Sequence, residues 1–243
     1  MGWLKKVAKY FLNRNITVKL NYFLDEFIPP IVRDSWLMYP FFLLLFGNKA
    51  RLIMDFKRKL PFLTEEDIRK YYEIVGGINR ETDLNSQCMD FILQNIVGNV
   101  ILDVGCGKGY LISRIAATYP QLTIYGVDIL AEEHKKGNIT FVQGFADNLP
   151  FEDRMFDTVI CTHVLEHVID LDKAISELHR VARRRVIIVV PRQREYIYTP
   201  DLHVHFFPYE HDLYLRLRIN RDKAKIMNLG GDFLIIEDIS GLI

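Results

Sequence analysis

Ile101-Leu102-Asp103-Val104-Gly105-Cys106-Gly107-Lys108-Gly109-Tyr110 is the stretch whose reading decides the fold. Val100-Ile101-Leu102 is a short apolar strand that a glycine loop stops. Leu111 to Tyr119 follows with apolar residues at helical spacing. Strand, glycine loop and helix in that order open a βαβ unit, and in such sheets ligands bind beyond the carboxyl ends of the strands. Glycine in this position lets the backbone approach a ligand that side chains would hold off.

Two ligand classes compete for the loop. A dinucleotide loop reads G-x-G-x-x-G and cradles a pyrophosphate on the helix N-terminus. Here the third glycine comes one place early, at Gly105, Gly107 and Gly109. Asp103 also stands just before the loop. A carboxylate there opposes a pyrophosphate and suits a cation, at roughly 1–4 kcal/mol for contact at surface-like dielectric. Asp128 ends the second strand, where an acid can hold two ribose hydroxyls; dinucleotide folds place one there too.

Working outward, Leu122 to Val127, Ile139 to Val142, Thr158 to Cys161 and Arg185 to Val190 read as strands, with a helix over Leu171 to Ala182. Alternating apolar strands and helices predict an α/β fold, a Rossmann-like αβα sandwich with a mostly parallel, doubly wound sheet. Residues 209–229 read as helical and Phe233 to Ile236 as a late strand. Upstream, residues 2–13 read as a helix with a basic face, Pro29-Pro30 is a break, and residues 41–59 read as partly helical. Thr64 is the expected N-cap of a short helix that carries Asp67, and Asn85 to Ile96 is another helix. The expected organisation is a helical N-terminal extension over 1–97 and a ligand-binding domain over 98–243.

With these segments placed, Asp103-Val-Gly-Cys-Gly-Lys-Gly109 resembles the first motif of class I S-adenosylmethionine-dependent methyltransferases. Tyr125-Gly-Val-Asp128 resembles their second-strand acid. Gly144-Phe-Ala-Asp-Asn-Leu-Pro-Phe151, Phe156-Asp157-Thr-Val and Val164-Leu-Glu-His-Val168 resemble the adenine loop and fourth-strand region of the small-molecule subgroup. The resemblance covers about residues 98–190. It implies S-adenosylmethionine as cofactor, held by Asp103, Gly105, Cys106, Gly107, Gly109, Asp128, Ile129, Phe145, Ala146, Asp147 and His163. The chain departs from the pattern where Phe145 stands in place of the usual acid, with Asp147 two residues on. The family ends in a two-strand hairpin, of which only Phe233–Ile236 is evident here.

For the chemistry, His167 follows the fourth strand and His203 lies in Asp201-Leu-His-Val-His-Phe-Phe-Pro208. Each is a candidate general base and equally a hydrogen-bonded structural histidine. Asp157 reads as an aid to the strand start rather than a ligand contact. Cys106 reads as a small filler, with no partner base beside it. Arg180 to Arg185 reads as a helix end followed by a strand, since cations suit the carbonyl end of a helix.

The composition excludes several classes. Net charge is zero over 243 residues, with nothing drawing the whole chain to nucleic acid. Three cysteines fit a reducing compartment rather than a disulfide framework, and no Cys/His cluster has metal-ligand spacing. Residues 1–60 nonetheless carry eleven Lys/Arg and four Asp/Glu. That basic arm reads either as a solvated face or as a docking surface for an anionic membrane or acidic partner. The longest apolar run, Trp36 to Phe46, contains Pro40 and is half the length that spans a bilayer, roughly 20 residues. The expectation is a cytoplasmic methyltransferase, peripheral at a membrane face through residues 1–60, with a small-molecule, lipid or sugar acceptor. The alternatives are a methyltransferase-like scaffold without catalysis and, disfavoured by the glycine spacing, a nicotinamide-dependent oxidoreductase.

Overall fold

The structure is a computed structural model that describes residue 23 and residues 27–75, 82–198 and 201–239. The helix expected over 2–13 lies outside the described residues. The chain divides into two compact units. The first takes Met1–Arg80 with Gln193–Val204, and the second takes Glu81–Arg192 with His205–Ile243.

In the first unit, α1 (Pro30–Arg33), α2 (Tyr39–Phe46), α3 (Ala50–Lys59) and α4 (Glu65–Val75) follow one another. Ala50, Ile53 and Phe56 recur at helical spacing on α3, and all three are buried. Phe56 packs on Tyr71 of α4 with ring centroids 5.3 Å apart, and Leu202 completes that core. Thr64 caps α4 as expected. Its Oγ1 accepts from the Asp67 N–H at 3.2 Å, and the Asp67 carboxylate accepts from the Thr64 N–H at 3.1 Å. The segment 193–198 is tied in by Lys57, whose Nζ donates to the Tyr196 carbonyl at 2.6 Å.

The second unit holds an eight-stranded sheet: β1 (Val100–Val104), β2 (Thr123–Asp128), β3 (His134–Lys136), β4 (Ile139–Gln143), β5 (Phe156–Thr162), β6 (Ala182–Pro191), β7 (Ala224–Leu229) and β8 (Asp232–Asp238). Their order is β3-β4-β2-β1-β5-β6-β8-β7. The five central strands pair in parallel, while β3 and the β7–β8 pair run antiparallel at the two edges. Four helices accompany the sheet: α5 (Ser86–Gln94), α6 (Tyr110–Thr118), α7 (Leu171–Val181) and α8 (Glu210–Arg216).

Strand alternation divides the core between the two faces. Val159 and Cys161 join Val186 and Ile188 in the cluster that receives α7 and α8. Ile160 and Ile187 face the other way, into the cluster that receives α5 and α6. On α7 the buried Ala174, Ile175, Leu178 and Val181 form one stripe, and burying each large side chain contributes about 1.5–3 kcal/mol. Asp170 caps α7 by accepting from the Lys173 N–H at 2.9 Å. The Rossmann-like αβα sandwich is as the sequence predicts.

Two expectations are corrected. Residues 209–229 are not one helix: α8 ends at Arg216, and Ala224–Leu229 is strand β7. The terminal hairpin that the sequence left incomplete is therefore present, with β7 paired to β8 across Gly230-Gly231. Both glycines hold positive φ, +61° and +93°, the backbone that a two-residue hairpin turn demands. No helix among the described residues is long and apolar enough to cross a membrane.

Candidate functional site

The chain runs β1, β2, β4 toward one edge of the sheet, then returns to lay β5 and β6 on the other side of β1. Strand order thus reverses between β1 and β5, and in open sheets of this kind ligands bind beyond the carboxyl ends of the strands at such a reversal. Residues 105–109 form the loop after β1, and Asp128 is the last residue of β2.

The loop is pinned to β2. The N–H groups of Gly105 and Cys106 donate to the Val127 carbonyl at 2.7 and 3.1 Å. The Gly107 N–H donates to Asp128 Oδ2 at 2.9 Å, and Leu130 donates to Asp128 Oδ1 at 2.9 Å. Each carboxylate oxygen carries two lone pairs, so Asp128 keeps acceptor capacity on both. A side chain on Gly105 would meet Val164 Cγ2 at 2.1 Å, so the close approach of β1 and β5 requires glycine there. A side chain on Gly107 would meet nothing within 4 Å. That side of its backbone faces open space beyond the carboxyl end of β1.

Asp103 sits beneath this loop, 2% exposed. Its Oδ1 is buried and has no hydrogen-bond partner among the described residues. Burial, and then the neighbouring Asp128, push its carboxyl well above the usual carboxylate range. An orphaned buried acid is costly unless a cation or donor completes it. Cys106 is buried and packs in the core on the α5–α6 face, and burial pushes its thiol up, away from a nucleophilic thiolate.

The segment after β4 carries Phe145, Ala146 and Asp147, all half-buried, and the Asn148 N–H donates to the Phe145 carbonyl at 3.1 Å. Ile129 is half-buried, with its carbonyl accepting from Gln143 Nε2 at 3.0 Å. Arg180 at the end of α7 clasps the following residues. Its guanidinium donates to the carbonyls of Leu149 and Phe151 at 3.1 and 2.7 Å, and to Asp153 and Glu177. Asp157 lies at the start of β1, the opposite end of that strand from the glycine loop. It accepts from the Asn99 and Val100 N–H groups at 2.7 and 3.1 Å and pairs with Arg183, which is the strand-start role expected of it.

His163, the first residue beyond β5, is held at φ +55°. Its Nδ1 lies 3.4 Å from Glu166 Oε1, and its Nε2 lies 3.5 Å from Asp232 Oδ2 at the start of β8. Burial alone would lower its pKa, but the two carboxylates outweigh it and raise the value to about 10. The ring is therefore an imidazolium between two buried acids. Asp232 in turn accepts from Asn85 Nδ2 at 2.8 Å, and Asn85 caps α5 through the Cys88 N–H at 2.9 Å. This chain of Asn85, Asp232, His163 and Glu166 escaped sequence reasoning. Only the spacing of His163 and Glu166 was local enough to signal it.

The two histidines assigned to chemistry lie in different units. His167 is half-buried in the second, in the turn after β5, where its N–H donates to the Val164 carbonyl at 2.8 Å. His203 is buried in the first, with Nδ1 2.6 Å from Gln193 Oε1, and Gln193 donates to the Tyr196 hydroxyl at 2.8 Å.

A family model described as methyltransferase domain matches residues 102–190. The chain is 32% identical over 96 residues to a fatty-acid O-methyltransferase from Mycolicibacterium smegmatis, covering 37% of this chain and 35% of that one. It is 34% identical over 98 residues to a ubiquinone/menaquinone biosynthesis C-methyltransferase from a Marinomonas species, covering 35% and 39%. The matches thus span little more than a third of the length of these curated relatives. The fold is shared with a SAM-dependent methyltransferase from Aquifex aeolicus, at TM-score 0.52 and 16% identity over 71% of this chain and 98% of that one.

Proposed function

We propose that this chain, whose residues 102–190 are a methyltransferase domain of the class I S-adenosylmethionine-dependent family, transfers the cofactor's methyl group to a small-molecule acceptor. The observation that carries the reading is the orphaned Asp103 carboxylate beneath the open Gly107 backbone. A buried acid with an unfilled oxygen, beside a loop with room for a ligand, fits a cofactor that bears cationic groups.

Bound there, the cofactor supplies an electrophilic methyl carbon on its sulfonium. Asp103 would hold its ammonium, and the remaining lone pairs of Asp128 would take the ribose hydroxyls. Gly105, Cys106, Gly107 and Gly109 would form the backbone wall. Ile129, Phe145, Ala146 and Asp147 would flank the adenine, with Asp147 or the Phe145 ring replacing the family's usual acid. His163, paired on both ring nitrogens, would support this edge from behind. The protein's main work is to bring the acceptor in line with the methyl carbon at about 3–3.5 Å. Where the acceptor must first lose a proton, His167 and His203 are the candidate bases, and His167→Ala and His203→Ala test them by loss of turnover with cofactor binding kept.

Calorimetric titration with S-adenosylhomocysteine, beside Asp103→Ala and Asp128→Ala, tests the cofactor site. Micromolar binding, lost in both variants, is the expected result; a native chain that binds nothing overturns the reading. Turnover follows from labelled methyl transfer to a panel of lipid, quinone and glycan acceptors. Phe145, standing in the acid's place, favours one second reading, a scaffold that has kept the fold without catalysis. Micromolar binding with no transfer to any acceptor would select it.

A further inference from the structure

Between Pro30 and Leu44, Phe42 is buried, yet a charged pair turns inward while several apolar side chains face solvent. Arg33 is 8% exposed, donates to the Glu195 carbonyl and lies over the Tyr196 ring at 5.6 Å. Asp34 Oδ1 accepts from the Ile197 N–H at 2.9 Å. The apolar neighbours of this inward-facing pair face solvent: Ile31 is 83% exposed, Trp36 73%, Leu37 56% and Leu44 73%. Water-facing segments of globular proteins do the reverse, and a contiguous apolar surface marks an interaction site. Helix α2 itself, Tyr-Pro-Phe-Phe-Leu-Leu-Leu-Phe, carries no charged side chain. At eight residues it is about 12 Å long, against roughly 30 Å of bilayer hydrocarbon.

The charge beside it identifies what covers it. Arg51 and Arg58 on α3 flank Asp55, with which both pair, and their side chains are still 86% and 78% exposed; Lys59 is exposed beside them. In sequence, residues 1–22 add five Lys/Arg and no acid. A second copy of the chain would set like charge against like. The same holds for the chain's own first residues laid across the patch. An anionic bilayer satisfies both features: its headgroups take the basic residues and its interface takes tryptophan and leucine.

The geometry points to Ile31, Trp36, Leu37 and Leu44 as a shallow wedge that seats the first unit in the interface of an anionic membrane, with Arg51, Arg58 and Lys59 on the headgroups. This surface acts independently of the cofactor site and goes beyond the proposed function. Insertion is interfacial, since no helix among the described residues is long and apolar enough to cross.

The full chain carrying Trp3→Phe has Trp36 as its sole tryptophan. It is mixed with phosphatidylcholine vesicles, and with vesicles containing phosphatidylglycerol at about 30 mol%. The expected result is a blue shift of Trp36 emission and co-sedimentation with the anionic vesicles only, reversed by high salt. Trp36→Glu with Leu44→Glu is expected to weaken partitioning about tenfold or more, and Arg51→Glu with Lys59→Glu about as much. S-adenosylhomocysteine affinity should stay that of the native chain in both, so a failed cofactor site and a failed membrane surface read differently. No partitioning of the Trp3→Phe chain overturns the proposal, whether or not the glutamate variants fold. So does partitioning without a Trp36 shift, which would assign binding to other residues. Concentration-dependent dimerisation abolished by the glutamate pair would also overturn it, in favour of a second copy.

Discussion

Nε2 of His163 lies 3.5 Å from Oδ2 of Asp232, joining the end of β5 to the start of β8, the second strand of the terminal hairpin. With Glu166 on the other nitrogen, the ring's pKa is raised to about 10 from an ordinary 6.5. The resulting stabilisation is complete below pH about 6.5 and is lost as pH rises through about 10. Urea unfolding of the native chain should therefore show a loss across that window which His163→Asn lacks. Asparagine tolerates the left-handed backbone, so the substitution removes the charge without new strain. Leaving two buried acids without their cation should cost about 3–5 kcal/mol at neutral pH. An unchanged pH slope would show that His163 is neutral.

Asp103→Asn is expected to separate stability from binding. It removes a buried carboxylate whose pKa is raised, a group that destabilises the ligand-free fold increasingly as pH climbs from about 3.8 toward the raised value. The variant should melt a few degrees higher than the native chain at neutral pH, by about 1–3 kcal/mol. Its affinity for S-adenosylhomocysteine should fall about tenfold or more through the lost charge pair. A variant that is less stable and binds equally well would mean that Asp103 is a structural acid.

Gly105→Ala and Gly107→Ala should diverge. The first drives a methyl group into Val164 Cγ2 at 2.1 Å and should lower the melting temperature sharply. The second meets no protein atom and carries only left-handed backbone strain of about 1–2 kcal/mol. Its larger effect should be on cofactor affinity, since the added methyl enters the space above the loop. Paired melting and titration curves check both.

Asn85→Asp should destabilise the chain, although aspartate is an equally good helix cap. The native Nδ2 donates to Asp232 at 2.8 Å and to the Leu229 carbonyl at 2.9 Å. Aspartate would place an acceptor against two acceptors, at a cost of about 1–3 kcal/mol. Hydrogen exchange should quicken in β7 and β8 together with α5. Exchange confined to α5 would show that the cap alone matters.

Asp157 governs the acid limb of stability. Burial alone would raise its pKa, but the Asn99 N–H, Arg183 and the Val100 N–H overcome it and hold the carboxyl below its usual range. Its contribution is present above pH about 3.8 and is lost as pH falls through the lowered value. Asp157→Asn should be less stable than the native chain at pH 7, and the gap should narrow as the medium is acidified. A constant gap across the titration would assign the loss to packing.

What the sequence disclosed was local. Asp103 to Gly109 and Asp128 are read from consecutive residues, because a strand, a turn and a cap each leave their signature within about ten positions. The hairpin did not, because Ala224, Met227 and Ile226 recur at intervals that suit a helix as well as a strand. The turn signal at Gly230-Gly231 was the better guide. The tie between Asn85 and Asp232 spans 147 positions, and only tertiary packing creates it. Strand β3 was invisible for another reason: all three of its residues are exposed, so no hydrophobic pattern marks it.

That short strand shapes how the molecule behaves in a crowded cell. A sheet of eight strands has two open borders, each a template onto which a stray chain can add and propagate a fibril. At one border stands His134-Lys135-Lys136, three residues long, exposed and twice positively charged. At the other, β7 turns Lys225 and Asn228 outward. Brevity and charge at β3, and polar side chains at β7, make both borders poorer seeds, which protects the apolar strands between them from being recruited into aggregates while the chain is still folding.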